Sequence, residues 1–326
     1  MQRLTCPRCG QRVYFQNTFC ACGTPLVFAP EAGGFVSDAP ACPNRDQIGC
    51  NWAAESGGLC RSCAMTGTIP DLSVEGNRDL LAQSEAAKRW VLANLARWHW
   101  FTDADSGTRV QFRMLSEHAG PHEVPVTMGH AAGVITLNVV EADDALRALR
   151  QQQLGELYRS MVGHVRHEIA HFLFERLALL PGFLAEFRAM FGDERADYAA
   201  ALLDHYNQPL AKGDTFISDY ATTHPHEDWA ETAAHILHLV DMTDSLMASG
   251  LNGPQIPPPG YDAYADTDAE HLLTVATSVA LAVNEINRAI DNPDVYPFVL
   301  TATTRAKLGF AHRWLSQGAT MTPLPA

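Results

Sequence analysis

The chain has 326 residues, 23 Lys plus Arg against 37 Asp plus Glu, and a formal net charge of −14. That length suggests about two domains, and 47% apolar residues can build a sizeable core. The charge argues against nucleic acid as the main partner, because neutralising phosphates needs a basic face. The longest apolar-leaning run, Leu272 to Val283, is too short to cross a bilayer, so no membrane partner is expected.

All eight cysteines fall between Cys6 and Cys63. They read Cys6-x2-Cys9, Cys20-x-Cys22 and then Cys42-x7-Cys50-x9-Cys60-x2-Cys63. Short C-x-C and C-x2-C spacings are knuckles that place two thiolates on one metal ion. Two tetrahedral four-cysteine zinc sites account for all eight, and the spacing leaves open which cysteines share which ion. Gly10 and Gly23 follow two of the knuckles, where a tight turn exposes backbone N–H groups to sulfur. The rival is a disulfide framework. The chain opens Met-Gln-Arg-Leu-Thr-Cys6, without the apolar stretch of a secretory signal. A cytoplasmic protein is therefore expected, and a reducing cytosol favours metal over disulfide. The first 63 residues hold five Arg, no Lys and four acids, with only Arg3, Arg8 and Arg12 clustered. A structural or protein-binding zinc ribbon is preferred to a nucleic-acid reader. Residues 64–77 read as a linker, and the expected domains are 1–66 and 67–326.

A helix is predicted from Arg78 to about His99, with Trp90, Trp98, Trp100 and Phe101 crowding its end as a core or a docking surface for the ribbon. Residues 109–117 and 124–128 read as short strands. From Gly133 to Val140, Ile135, Leu137 and Val139 alternate with Val134, Thr136 and Asn138, the period of a half-buried strand.

The segment from Leu154 to Leu180 keeps apolar residues at helical spacing: Leu157, Met161, Val165, Ile169, Leu173 and Leu177. Inside it stands His167-Glu168-Ile169-Ala170-His171. Histidines four apart share one helix face, so their ring nitrogens can converge on one metal. The intervening Glu then stands beside the open side, where a water would be. That arrangement predicts a zinc hydrolase with His167 and His171 as ligands and Glu168 as general base. His164 lies on nearly the same face and reads as a helix histidine with a local partner.

Catalytic zinc usually takes three protein ligands and keeps one position open. The extended motif with a third His is absent, since Phe174 and Leu177 occupy its Gly and His positions. Glu285 reads as a solvated helix carboxylate. Asp193, Glu194 and Asp197 open a predicted helix to about Asn207, and Asp193 is a candidate to orient a zinc histidine. The better source of the third ligand is the helix starting at Pro225. There Glu227 and Glu231 share a face, so that one can bind zinc while the other orients a histidine. His224, His226 and Asp228 are the other candidates, His224 the most serious rival, and Asp228 is expected to cap or to meet solvent. His235 and His238 form a competing pair without a matching spacing. The last helices are predicted at 267–291 and 303–317.

Tyr220-x6-Glu227-x3-Glu231 after the H-E-x-x-H segment resembles the zinc site of anthrax lethal factor-like gluzincins. The resemblance implies Glu227 as ligand, Glu231 as the orienting carboxylate and Tyr220 as oxyanion donor. A second resemblance covers nearly the whole chain. Cys6-Pro-Arg-Cys9-Gly10, Thr68-Ile-Pro-Asp-Leu-Ser73, Gly133-Val-Ile-Thr-Leu-Asn138, Glu141-Ala-Asp-Asp144, Gly192-Asp-Glu-Arg195 and His224-Pro-x-Glu-Asp228 resemble the bacterial putative zinc-binding metallopeptidase family with an N-terminal zinc ribbon. It implies a mainly helical α+β, zincin-type domain with a small sheet before the active-site helix, plus the ribbon. In zincins an edge strand before that helix pairs with an extended substrate, and 133–140 is the natural candidate.

These readings predict a zinc metallopeptidase with one catalytic and two structural Zn2+ and a peptide or protein substrate. The alternatives are a non-catalytic adaptor for protein or nucleic acid, and an amidase or esterase working through the same residues.

Overall fold

The computed structural model describes residues 3–56, 58–118, 124–154, 160–207 and 210–317. In chain order its elements are β1 (Leu4–Thr5), β2 (Arg12–Val13), β3 (Val27–Ala29), β4 (Gly34–Val36), α1 (Arg45–Ile48), α2 (Arg61–Ala64), β5 (Thr66–Thr68), α3 (Asn77–Leu95), β6 (Gln111–Leu115), β7 (Gly129–Ala131), β8 (Val134–Asn138), α4 (Asp144–Leu154), α5 (Met161–Leu177), α6 (Phe183–Phe191), α7 (Tyr198–Asn207), α8 (Pro225–Ser249), α9 (Ala269–Ala289) and α10 (Ala302–Gln317). This is a helix-rich α+β architecture, and no described helix is long and apolar enough to cross a membrane. The chain divides into two compact units, Met1–Ile169 and Ala170–Ala326, and the division falls inside α5.

In the first unit, β1–β2 and β3–β4 are antiparallel ribbons around the cysteine knuckles. The short helices α1 and α2 pack against α3. Phe15 meets Trp90 of α3 edge-on at 5.3 Å. Buried Arg61, the first residue of α2, donates from Nη1 to the Phe101 carbonyl at 2.9 Å and from Nε to Glu55 at 2.7 Å. It also pairs with Glu31 and Asp103. Trp98, Trp100 and Phe101 are buried, so this aromatic group is core, and it is tied to the cysteine module through the Phe101 carbonyl.

The four-stranded sheet has the order β5-β6-β8-β7. β5 and β8 run parallel to β6, and β7 runs antiparallel to β8. The strand expected over 133–140 is present as β8, but it is not an edge. The edge position belongs to β7, joined to β8 by the turn Ala132–Gly133. Ala132 and Gly133 take the left-handed backbone (φ 49° and 77°), which the tight reversal requires. Residues 124–128, expected as a strand, have no regular structure; the pairing begins at Gly129.

In the second unit α8 is the central helix. His224 caps it, Pro225 occupies its first turn and Gly250 ends it at φ 83°, the Pro-start and Gly-stop pattern of helices. Most of its residues are buried, and it packs against α6, α9 and α10. Trp229, fully buried, donates from Nε1 to the Ala170 carbonyl at 2.8 Å. Phe174, Phe183, Phe187, Phe191 and Phe310 surround it edge to face with ring centroids 5.6 to 6.4 Å away, and Trp314 packs on Phe183. The helix predicted from Asp193 starts later, at Tyr198. Asp193 holds a turn through the Arg195 N–H, and Asp197 accepts from the Ala200 N–H as the cap. The helix predicted over 154–180 runs from Met161 to Leu177, and 155–159 lie outside the described residues.

Candidate metal centre

α5 turns Val165, Ile169, Leu173 and Leu177 into the core with no exposed surface. His167 and His171 lie off that stripe, one turn apart and partly exposed. From the first turn of α8 comes Glu227, 2% exposed. His171 Nε2 and Glu227 Oε2 stand 3.4 Å apart. His167, His171 and Glu227 each offer one ligand atom, all within 4.8 Å of one another. Ligands about 2.0–2.1 Å from a tetrahedral zinc sit about 3.3 Å from each other. The donor set of two imidazoles and a carboxylate therefore fits zinc in chemistry and needs little contraction.

Two further observations fit. Glu168 is 7% exposed and its Oε2 is buried with no hydrogen-bond partner. A buried carboxylate oxygen kept without a donor is unfavourable unless a water or ligand meets it. Glu227 is held on its other side: the Tyr198 hydroxyl donates to Oε1 at 2.8 Å. Tyr198 had no signal in the sequence, because it lies 29 residues before Glu227 in no recurring spacing.

The rivals near Pro225 are occupied otherwise. His224 Nδ1 accepts from the His226 N–H at 3.1 Å and its Nε2 faces the Ala196 carbonyl at 3.0 Å, so both ring nitrogens are used in one neutral tautomer. His226 is packed edge-on against Phe174 at 4.5 Å. Burial, with the neighbouring His171 and His224, pushes its pKa down to about 4. Asp228 neither caps nor meets solvent. It is 1% exposed and takes the ammonium of Lys307 at 2.6 Å, and burial raises its pKa to about 6 against that pairing.

Glu231 Oε2 accepts from Ser218 Oγ at 2.6 Å. Tyr220 sits in a short 3-10 turn, its ring edge-on to His205 at 5.9 Å. Asp193 is taken by Arg195, whose Nε and Nη2 donate at 2.8 Å each, and these bonds hold its carboxyl well below the usual range. His164 lies 3.6 Å from the buried carboxylate of Glu141, an ion-pair distance rather than a hydrogen bond. His235 meets the Tyr296 hydroxyl at 3.1 Å in the core, and exposed Glu285 pairs with Arg288 on the same helix.

The eight cysteines gather as Cys6, Cys9, Cys20 and Cys22, and as Cys42, Cys50, Cys60 and Cys63. The knuckles do not interleave. Sulfurs lie 3.6 to 3.8 Å apart in both groups, far beyond the ~2.05 Å of a disulfide. Gly10 and Gly23 take φ of 70° and 80° to close the first two knuckles. The first group is half exposed, at Cys9 and Cys22, whereas the second is entirely buried. The Thr24 hydroxyl, 3.1 Å away, and its backbone N–H draw the Cys22 thiol down to about 6.

Two imidazoles and a carboxylate from two helices, with Glu168 following His167 on the first of them, define a candidate centre of the zinc-peptidase class. Residues 77–314 match the family described as "Putative zinc-binding metallo-peptidase", and the chain belongs to that family. Uncharacterized proteins of Mycobacterium bovis and of two Mycobacterium tuberculosis strains are each 36% identical over 334 residues, covering 96% of this chain and 94% of theirs. No solved structure matches the chain.

Proposed function

We propose that the protein is a zinc-dependent metallopeptidase with a zincin-type domain over 67–326 and a zinc ribbon over 1–66. The observation that supports it most is the convergence of His167, His171 and Glu227, with Glu168, whose buried Oε2 has no partner, following His167 on the same helix. His167, His171 and Glu227 would hold the zinc, with Tyr198 fixing Glu227 through Oε1 and Glu231 as a further orienting carboxylate. Tyr220 is proposed as oxyanion donor, on the lethal factor-like register, and Asp193 as a minor candidate for orientation.

A zinc ion bound there supplies a Lewis acid that acidifies a water and polarises a carbonyl. Glu168 accepts the proton of that water through Oε2 and returns it to the leaving amine. The Tyr220 hydroxyl donates to the carbonyl oxygen as negative charge develops on it. An extended peptide adds to the outer side of β7, which among the described residues pairs only with β8. The two cysteine groups hold structural zinc. The substrate is a peptide or protein, the compartment is the cytoplasm, and the net charge weighs against nucleic acid as a partner of the ribbon.

The test is Glu168→Gln in the zinc-loaded protein, assayed on a peptide library against the unaltered chain. Retained zinc with turnover lowered about 10²- to 10⁴-fold is expected. Unchanged turnover would remove Glu168 from the mechanism. Loaded protein that cleaves nothing in the library, yet binds peptides, would favour the adaptor.

A further inference from the structure

Arg89, in α3, is 1% exposed. A guanidinium remains protonated across the pH range of a folded protein, and burying a charge without a counter-charge is strongly unfavourable. Yet Arg89 Nε and Nη1 are buried without a hydrogen-bond partner. The buried acid on the same helix, Glu85, pairs with Lys88 at 2.9 Å. The other buried arginine of the cysteine module, Arg61, is spent on Glu31, Glu55, Asp103 and the Phe101 carbonyl.

α3 packs against the 3-10 turn at Val139–Ala142, whose buried Glu141 pairs with Arg150, against α1, and against α2, which is capped by Cys60 and carries Cys63. Those two thiols converge with Cys42 and Cys50, all four 0 to 3% exposed. Four thiolates around one divalent ion leave a double negative charge, and here water cannot reach it. The charge of Arg89 is near enough to act on Cys50 of that group.

We propose that Arg89 is the buried counter-ion of a tetrathiolate zinc centre at Cys42, Cys50, Cys60 and Cys63, offsetting its surplus negative charge from α3. The proposal rests on the zinc reading of the cysteines and is independent of peptidase activity. It makes α3, within the family-matched segment, part of the electrostatics of the cysteine module. The first group, open to solvent at Cys9 and Cys22, needs no such partner.

The test uses the full chain with Cys6→Ser and Cys22→Ser, so that the second group alone reports. Co2+ is the probe, read by its thiolate charge-transfer absorption under chelator competition. Arg89→Met is expected to weaken Co2+ binding about 10- to 100-fold, the usual range for groups supporting metal ligands, and Arg89→Lys to recover most of it. A guanidinium that is only a buried burden would instead leave Arg89→Met binding as tightly as before, which overturns the proposal. If Arg89→Met does not fold, amide exchange in the otherwise unaltered chain decides. Protection across residues 77–95 should fall when Co2+ is withdrawn, and unchanged protection overturns the assignment. Absence of any thiolate band before Arg89 is touched would instead sink the zinc reading of the cysteines.

Discussion

The two oxygens of Glu227 have different partners: Oε2 faces His171 and Oε1 accepts from Tyr198. A carboxylate held in this way presents one oxygen to a metal and cannot swing to present both. Glu227→Ala is therefore expected to abolish metal binding at this centre, while Tyr198→Phe keeps it with an affinity lowered about 10- to 100-fold. Zinc-chelator competition measures both, and an unaltered affinity in Tyr198→Phe would show the hydroxyl to be idle. His224→Ala should keep the metal and cost about 1 kcal/mol through loss of the α8 cap; metal loss in that variant would instead favour a three-histidine centre. The meeting of His167 and His171 was legible because helical spacing alone puts residues four apart on one face. Glu227 was legible because Pro225 marks where its helix starts. Tyr198 was not, since it reaches Glu227 only through the packing of separate elements.

Helices were legible where a cap or an apolar stripe is local, as in α8 and α9, and less so where side-chain turns compete. Asp193 and Asp197 illustrate this: both suit a helix start, and the first is diverted into a turn by Arg195. The sheet edge was misplaced because alternation marks β8 as a strand without revealing that the three-residue β7 folds back along it. The bond between α8 and α10 was also hidden, since it joins Asp228 to Lys307 across 79 positions. Removing one partner of a buried pair leaves the other uncompensated, so Lys307→Met should destabilise the protein by about 3–5 kcal/mol in chemical denaturation. Asp228 also makes stability depend on pH. Its folded pKa, about 6, lies above the 3.8 of an aspartate free in water. Its contribution is intact below pH 3.8, where both states are protonated, and is lost as pH rises toward 6 because only the unfolded state releases the proton freely. Asp228→Asn should remove this part of the slope between those pH values, and a denaturation series across them would detect it. An unchanged slope would assign it to other groups.

Across the whole molecule, two cysteine groups and the His–Glu centre predict three zinc ions per chain. Elemental analysis of reduced protein purified without chelator should approach that ratio. Cys50→Ser with Cys60→Ser should lower it by one, and a ratio near one in the unaltered protein would refute the double ribbon. Cutting the chain after residue 66 is a poorer test of metal count, because it strips Phe15 from Trp90 and Arg61 from the Phe101 carbonyl. The cysteine module and the helix that opens the family-matched segment share one interior.

The unequal burial of the two cysteine groups gives them different fates under oxidative stress. Sulfur reactivity follows thiolate character and access. Zinc holds the sulfurs of both groups as thiolates, so access decides: Cys9 and Cys22 are exposed, whereas the four inner sulfurs are sealed. Hydrogen peroxide should therefore strip the outer knuckles first, releasing one equivalent of zinc while the inner group stays loaded. A chromogenic zinc indicator would record that release as two separated phases.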